Sequence, residues 1–361
     1  MSSNAPEPGI RDAIARVVEG QILTRPEAAH VMDQIMAGEA TPAQIGAFLT
    51  ALRIRGETEG EIAGFAETMR RHARRVTLDE GLPVVDVVGT GGDGSGTFNI
   101  STTSAFVVAG AGVAVAKHGN RAMTSRCGSA DVLEGLGVVI EQTPEQVARC
   151  VREVGFGFMF AQAFHPAMKH AGPVRRDIGI RTVFNLLGPL TNPARAPYEL
   201  MGVGDAALAA KLARVFALLG VEHALVVHGQ EGLDEISISG PTTIHEVHVD
   251  RDVMTYEITP EQFGFARATP MAVRGGSVAE NVVITRRVLA GEPGPTRDVV
   301  LLNAAAALVA ADAAPDIATG IMRAAESIDS GRAQVAMENF VALKQGFAAR
   351  EMVTTQPPPP P

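Results

Sequence analysis

Tryptophan is absent from this chain and tyrosine occurs only twice. Aromatic platforms that stack single-stranded nucleic acid are therefore not expected. Excess positive charge is also missing: 31 Lys and Arg stand against 40 Asp and Glu, a net charge of −9. That balance predicts no nucleic-acid partner, and an anionic ligand then needs a local basic pocket. The two cysteines, Cys127 and Cys150, cannot build a disulfide framework or a four-thiolate zinc site. They fit a reducing, cytoplasmic compartment. The opening MSSNAPEPGIRDAIARVVEG has no basic segment leading into an apolar one, so no signal peptide is expected. The most apolar run, Val299–Ala311, is broken by Asn303 and is shorter than the about 20 residues that cross a bilayer. No membrane partner is expected.

What is present is ordinary globular material. With 46% hydrophobic and 20% charged residues, the chain is not a disordered one. Its 361 residues suggest two domains. Thr24-Arg25-Pro26-Glu27 is a capping box with proline in the first turn, and Gly38 can close that helix. Thr41-Pro42-Ala43-Gln44 repeats the device and closes at Gly56; Thr58 with Glu61 opens a third helix to about His72. Ile45, Phe48, Leu49 and Leu52 recur at helical spacing. Residues 1–78 thus read as a helical domain, with a linker near Asp79-Glu80-Gly81.

The pattern then changes. Val84, Val85, Val87 and Val88 form a short apolar run ending at Gly89, as a buried strand does. Ser101–Ala111 reads as a helix, Val113–Ala116 and Val138–Ile140 as strands, and Thr143-Pro144-Glu145-Gln146 as another capped start. Leu225–Val227 and Val247–Val249 are further strands. Short strands alternating with capped helices predict an α/β domain. The tail TTQPPPPP cannot pack and is expected to be disordered.

Two segments carry the composition of a phosphate site. The first is GTGGDGSGTFNIST, residues 89–102, with five glycines in its first eight residues. Glycines let backbone N–H groups approach a ligand, and Asn99, Ser101 and Thr102 fall where a helix begins. A flexible turn with an N-cap is the plain alternative. The second is KHGNRAMTSR, residues 117–126, which joins fixed charge, hydroxyls and a glycine. A solvated basic turn is its alternative. Two anion-suited loops after successive strands weigh against both plain readings. Neither segment is a Walker-type loop or a dinucleotide fingerprint.

These motifs, with KHGNRAMTSRCGSADVLEGLG, HPAMKHAGPVRRDIGIRTVFNLLGPLTNP and the late Asp234-Glu235 pair, resemble the anthranilate phosphoribosyltransferase family from about residue 10 to about 345. The resemblance implies a small helical N-terminal domain (1–78, joined by helices from about 173–195). It implies a larger α/β domain (79–348) with a mixed sheet flanked by helices, and a tail at 349–361. It also implies a homodimer and magnesium, two ions per subunit. The activity implied is phosphoribosyl transfer from 5-phosphoribosyl 1-pyrophosphate to anthranilate, in tryptophan biosynthesis. Carried over by position, Gly89, Gly92, Asp93, Thr97, Asn99, Ile100, Ser101, Thr102, Lys117, His118, Gly119, Asn120, Arg121, Ala122, Met123, Thr124, Ser125 and Ser129 hold the donor. Gly89, Asn120 and Arg175 contact anthranilate; Ser101, Asp234 and Glu235 serve magnesium. Thr124 and Cys127 stand where the family more often has serine, and Cys127 forfeits a hydroxyl.

Hard oxygen ligands suit magnesium, although Asp234-Glu235 taken alone reads as an exposed acidic turn. Arg175 can grip a carboxylate with two hydrogen bonds, while Lys169 and Arg176 read as a solvated face. No dedicated general base is expected, and His118 is not read as one. A pyrimidine nucleoside phosphorylase and a nucleic-acid-binding relative on the same scaffold are the alternatives. Asn120 and the HPAMK-to-GPLTNP segment count against the first, the net charge and Asp234-Glu235 against the second.

Overall fold

The computed structural model describes residues 9–122 and 125–354. Four helices open it: α1 (Ile10–Val18), α2 (Arg25–Ala37), α3 (Pro42–Arg55) and α4 (Glu59–His72). Each of the three expected capping boxes forms, with Thr24, Thr41 and Thr58 accepting from the N–H three residues on. Gly38 takes the left-handed conformation that ends α2. Glu61 goes beyond its cap: fully buried, it also accepts from the Leu23 N–H at 3.0 Å.

The chain then enters a sheet. β1 (Val84–Gly89) leads through α5 (Ile100–Gly110) to β2 (Ala114–Gly119). α6 (Ser129–Gly135) and α7 (Pro144–Val154) precede β3 (Phe156–Phe160). The helices α8 (Ala161–Phe164), α9 (Met168–Ile178) and α10 (Phe184–Leu190) follow. β4 (Tyr198–Gly202), α11 (Ala206–Leu219), β5 (His223–Gly229), β6 (Thr242–His248) and β7 (Met254–Ile258) complete the sheet. The last helices are α12 (Val278–Leu289), α13 (Pro295–Ala310), α14 (Ile317–Asp329) and α15 (Arg332–Thr354).

The sheet order is β3-β2-β1-β4-β5-β6-β7. The first five are parallel, and β6 and β7 are antiparallel. The sheet is therefore mixed, with helices on both faces. Val85, Val87, Leu200 and Leu225 face α5 and α13, with α14 and α15 packed on those helices. Val88, Met201 and Val226 face α11 and the N-terminal helices, so the helical bundle shares a core with one face of the sheet. α9 packs on α2 and α3, and α10 on α4 and β2. From β1 the chain moves outward to β2 and β3, then returns to the other side of β1 with β4. This reversal opens a crevice at the carboxyl ends of β1 and β4, where ligands bind in such sheets.

Two expectations differ. Val138–Ile140 is not a strand: the Val138 N–H donates to the Leu133 carbonyl and closes α6, which leaves no ladder. Residues 349–354, expected in an unpacked tail, continue α15, and 355–361 lie outside the described residues.

Candidate active site

The glycine loop leaves β1 into that crevice. Gly91, Gly92, Gly94 and Gly96 all have positive φ, which only glycine adopts without strain. A Cβ on Gly92 would lie 2.0 Å from Nη1 of Arg181. That guanidinium donates to the Gly92 carbonyl at 3.3 Å and the Gly91 carbonyl at 3.5 Å. The loop's far end is strapped to residues 273–275: Phe98 N–H donates to the Val273 carbonyl and Gly275 N–H to the Gly96 carbonyl.

Three carboxylates converge beneath the loop. Asp234 Oδ2 accepts from the Gly91 N–H at 2.7 Å. Glu235 Oε1 accepts from the Ser101 N–H at 3.0 Å, in the first turn of α5. Asp93 Oδ2 lies 3.4 Å from the Asp234 N–H. Burial first, and then Asp93, pushes the Asp234 carboxyl up to about 7. Burial and the Asp234 charge hold Glu235 well above the usual carboxylate range. Lys117 is buried below them, its Nζ against the Val87 carbonyl and 3.3 Å from Ser101 Oγ. Burial lowers its pKa against the pull of Asp86 first, and then of Glu235, Glu199 and Asp234. A cluster that raises its own carboxyl pKa values asks for more positive charge. Its donors are hard oxygens, so the residues fit magnesium.

The second loop closes the other wall. Asn99 Nδ2 donates to the Cys127 carbonyl at 3.1 Å, and Asn99 Oδ1 accepts from Asn281 Nδ2 at 2.9 Å. Ser129 Oγ donates to the Asn120 carbonyl, and a Cβ on Gly119 would lie 2.3 Å from that hydroxyl oxygen. A cavity of about 230 Å³ lies between the loops, lined among others by Asp93, Thr97, Ser125, Arg126, Cys127 and Arg274. Burial, then Asp131, pushes the Cys127 thiol up to about 11. It is a buried thiol, not a thiolate nucleophile. Cys127→Ser is therefore expected to keep substantial turnover, with a modest change in donor KM; steady-state kinetics check this.

The segment 165–191 borders the same crevice. His118 Nδ1 donates to the Gly188 carbonyl at 3.0 Å, which leaves Nε2 as a buried acceptor without a partner among the described residues. Burial, then the neighbouring His165, lowers His118 to about 3. So weak a base holds no proton at neutral pH. Arg175 is half-buried, with its guanidinium 5.2 Å from the Phe184 ring centroid. Among the described residues no carboxylate pairs with it. Arg176 beside it is exposed.

The model of a glycosyl transferase family α/β domain matches residues 81–334, and that of its helical bundle domain matches residues 11–73. An anthranilate phosphoribosyltransferase of Chloroflexus aggregans is 62% identical, over 94% of this chain and 99% of that protein. One from Thermomicrobium roseum is 59% identical, over 95% and 99%. The chain belongs to the anthranilate phosphoribosyltransferase family. Among solved structures, the family's Thermus thermophilus member superposes with a TM-score of 0.87 at 46% identity, over 92% of this chain and 99% of that one. The Saccharomyces cerevisiae member, in complex with PRPP and Mg, gives 0.86 at 30% identity, over 93% and 98%.

Against the family expectations, the fold gathers Gly89, Gly92, Asp93, Thr97, Asn99, Ser101, Asp234 and Glu235 in one crevice, with Lys117 beneath. Ile100 packs in the core and Thr102 is buried, so Ile100 has only its backbone to offer. Arg121 is engaged with Asp131 and Glu134, and the Ala122 N–H with Asp131. Met123 and Thr124 lie outside the described residues. Arg181, Arg274 and Asn281 were not anticipated. The dipeptide Gly275-Gly276 before the Ser277 cap was the signal for the last two, a glycine turn entering a helix.

Proposed function

We propose that this chain transfers the phosphoribosyl group of 5-phosphoribosyl 1-pyrophosphate to the amino group of anthranilate. The products are N-(5-phosphoribosyl)anthranilate and pyrophosphate, and the reaction serves tryptophan biosynthesis. One observation carries the reading: a glycine loop, a helix N-terminus and three carboxylates meet at the switch point of the sheet. The loop's backbone and the first turn of α5 receive donor phosphates. The cavity wall supplies Arg126, Ser125 and Thr97 to the same anion.

Asp93, Asp234, Glu235 and Ser101 hold magnesium, and two ions per subunit are proposed because Asp234 and Glu235 face different partners, Asp93 and α5. Held there, magnesium would supply neutralisation of charge on the departing pyrophosphate. Anthranilate is placed between Gly89, Asn120 and Arg175. Its aromatic amine is neutral at pH 7, so the residues position it for attack on the ribose carbon. His118, neutral and weakly basic, orients and does not carry the proton. The test is loss of anthranilate fluorescence with donor and magnesium; folded protein that consumes none refutes the reading.

Arg175→Ala is expected to weaken anthranilate use about 10- to 100-fold, the worth of a charged hydrogen bond of roughly 1.5–3 kcal/mol. Arg176→Ala, at an exposed position, should change little. Equal effects of the two on the anthranilate KM contradict the assignment.

A homodimer through the N-terminal helices is also proposed. Val18, Ile22 and Ile54 stand 71%, 59% and 81% exposed on that domain, too apolar a set to leave in water without purpose. Ile54→Asp is expected to convert a dimer to monomers in sedimentation. A monomeric unmodified chain refutes the proposal. No helix among the described residues is long and apolar enough to cross a membrane. Both cysteines are free and buried, which supports placement in a reducing compartment such as the cytoplasm.

A further inference from the structure

β1 and β2 pair at Val84↔Ala114 and Val85↔Val115. Toward their carboxyl ends they part: β1 stays on β4 as far as Gly89↔Gly202, and β2 stays on β3 as far as Gly119↔Phe160. Side chains take over the backbone groups at the parting. Asp86 Oδ1 accepts from the Val87 N–H at 2.8 Å and from the His118 N–H at 3.1 Å. Lys117 Nζ donates to the Val87 carbonyl. Asn192, just after α10, bridges the gap: its Nδ2 donates to Asp86 Oδ2 at 2.6 Å and to the Ala116 carbonyl at 2.8 Å. Its Oδ1 accepts from the Ala194 N–H at 2.8 Å. Asp86, Lys117 and Asn192 are all buried.

A buried backbone group must find a partner, so strands can part inside a core only where side chains supply one. A carboxylate suits the place because it accepts on both oxygens and donates nothing. Asp86 uses that capacity on N–H groups of its own strand, of β2 and of the 188–194 segment. The same segment carries the Gly188 carbonyl that takes the His118 Nδ1–H. His118 is thus fixed twice, through its backbone by Asp86 and through its ring by the segment that Asp86 anchors. The parted strands lead into Gly89 and Asn120, one on each loop of the crevice. Glu199 is a contrast. It lies opposite Asp86 in the β1–β4 register and is also buried, yet its Oε1 has no partner among the described residues. Burial, then Asp86, holds it well above the usual carboxylate range.

We propose that Asp86 is a positioning residue for the acceptor. Its carboxylate splices β1, β2 and the 188–194 segment, and so sets the spacing of Gly89, Asn120 and the His118 ring around anthranilate. The proposal rests on the reading of anthranilate as the acceptor. Donor phosphates are placed on the glycine loop, α5 and the Arg126 wall, so the acceptor side should feel the loss of Asp86 more.

The test is Asp86→Asn in the full chain. The amide keeps an oxygen for the Val87 and His118 N–H groups but turns an NH2 toward that of Asn192, which drives the Asn192 side chain out. The anthranilate KM is expected to rise about tenfold or more, the scale of a lost hydrogen bond to a charged group, with a much smaller change in donor KM. Deuterium uptake should quicken at 116–120 and 188–194 and stay level in α13. Asp86→Asn combined with Asn192→Asp turns the contact around and should recover part of the anthranilate KM. Asn192→Ser should give the same KM split if Asp86→Asn does not fold. Glu199→Gln, buried on the same face, should leave both KM values as they are. Unchanged uptake in Asp86→Asn, equal rises in the two KM values, no recovery in the exchanged pair, or the same effect from Glu199→Gln would each overturn the proposal. A wild-type chain that consumes no anthranilate sinks the functional reading and the acceptor role with it; the uptake pattern then still decides whether Asp86 splices the three segments.

Discussion

Asp234→Asn combined with Glu235→Gln is expected to lower phosphoribosyl transfer by about 10²–10³-fold or more, the scale on which removal of positioned electrostatic groups acts. Folding should survive. Both replacements keep an oxygen that can accept from the Gly91 and Ser101 N–H groups. They also remove two carboxyls whose raised pKa values record first the cost of burying them, and then the repulsion of Asp93 on Asp234 and of Asp234 on Glu235. Thermal stability is therefore expected to stay level or rise while activity falls. The measurements are anthranilate turnover across a magnesium series and a melting curve. Unchanged turnover with unchanged magnesium dependence would rule out the role; a collapse of the melting temperature would make the acids structural.

Gly202→Ala should be nearly as damaging, by a different route. Gly202 ends β4 with ordinary dihedral angles, but its Cβ would lie 1.6 Å from the Asp234 carbonyl oxygen and 2.4 Å from the carbonyl carbon. Backbone atoms cannot rotate away as a flexible side chain can. The turn bearing Asp234 and Glu235 must move off the first turn of α5. Overpacking of this kind costs about 1–3 kcal/mol or more, and here the displaced atoms are those proposed to hold magnesium. Loss of both stability and activity is expected. Gly60→Ala is the control: it lies in α4, with nothing near its Cβ, and should stabilise slightly, by about 0.5–1 kcal/mol. A Gly202→Ala enzyme with wild-type turnover would show that the two strand ends are less tightly coupled than they stand here.

The legible parts of this molecule are local ones. Thr24, Thr41, Thr58 and Thr143 announce helix starts because a cap is a contact between residues three apart. The glycine loop announces itself because positive φ at Gly91, Gly92, Gly94 and Gly96 restricts the residue type wherever the loop sits. Val138–Ile140 has the composition of a strand, yet a strand needs a partner with free ladder groups, and the Val138 N–H was already spent on α6.

By itself, then, the amino-acid sequence determined the capped helices, the α/β alternation, the glycine loop and the family to which these motifs belong. Only the tertiary structure decided which charges are free to act. Arg121 and Arg175 look alike in the chain, but the fold sets Arg121 between Asp131 and Glu134 and places Arg175 over Phe184 with no acidic partner among the described residues. Lys117 stands in a loop motif, yet it is buried under the acids. The strand order that brings Gly89 beside Asp234 is also tertiary. The physical reason is common to all of these. Charge pairing and burial depend on which side chains the fold brings together, from 10 residues apart for Arg121 and Asp131 to 143 for Gly91 and Asp234, and no local pattern encodes which of them meet.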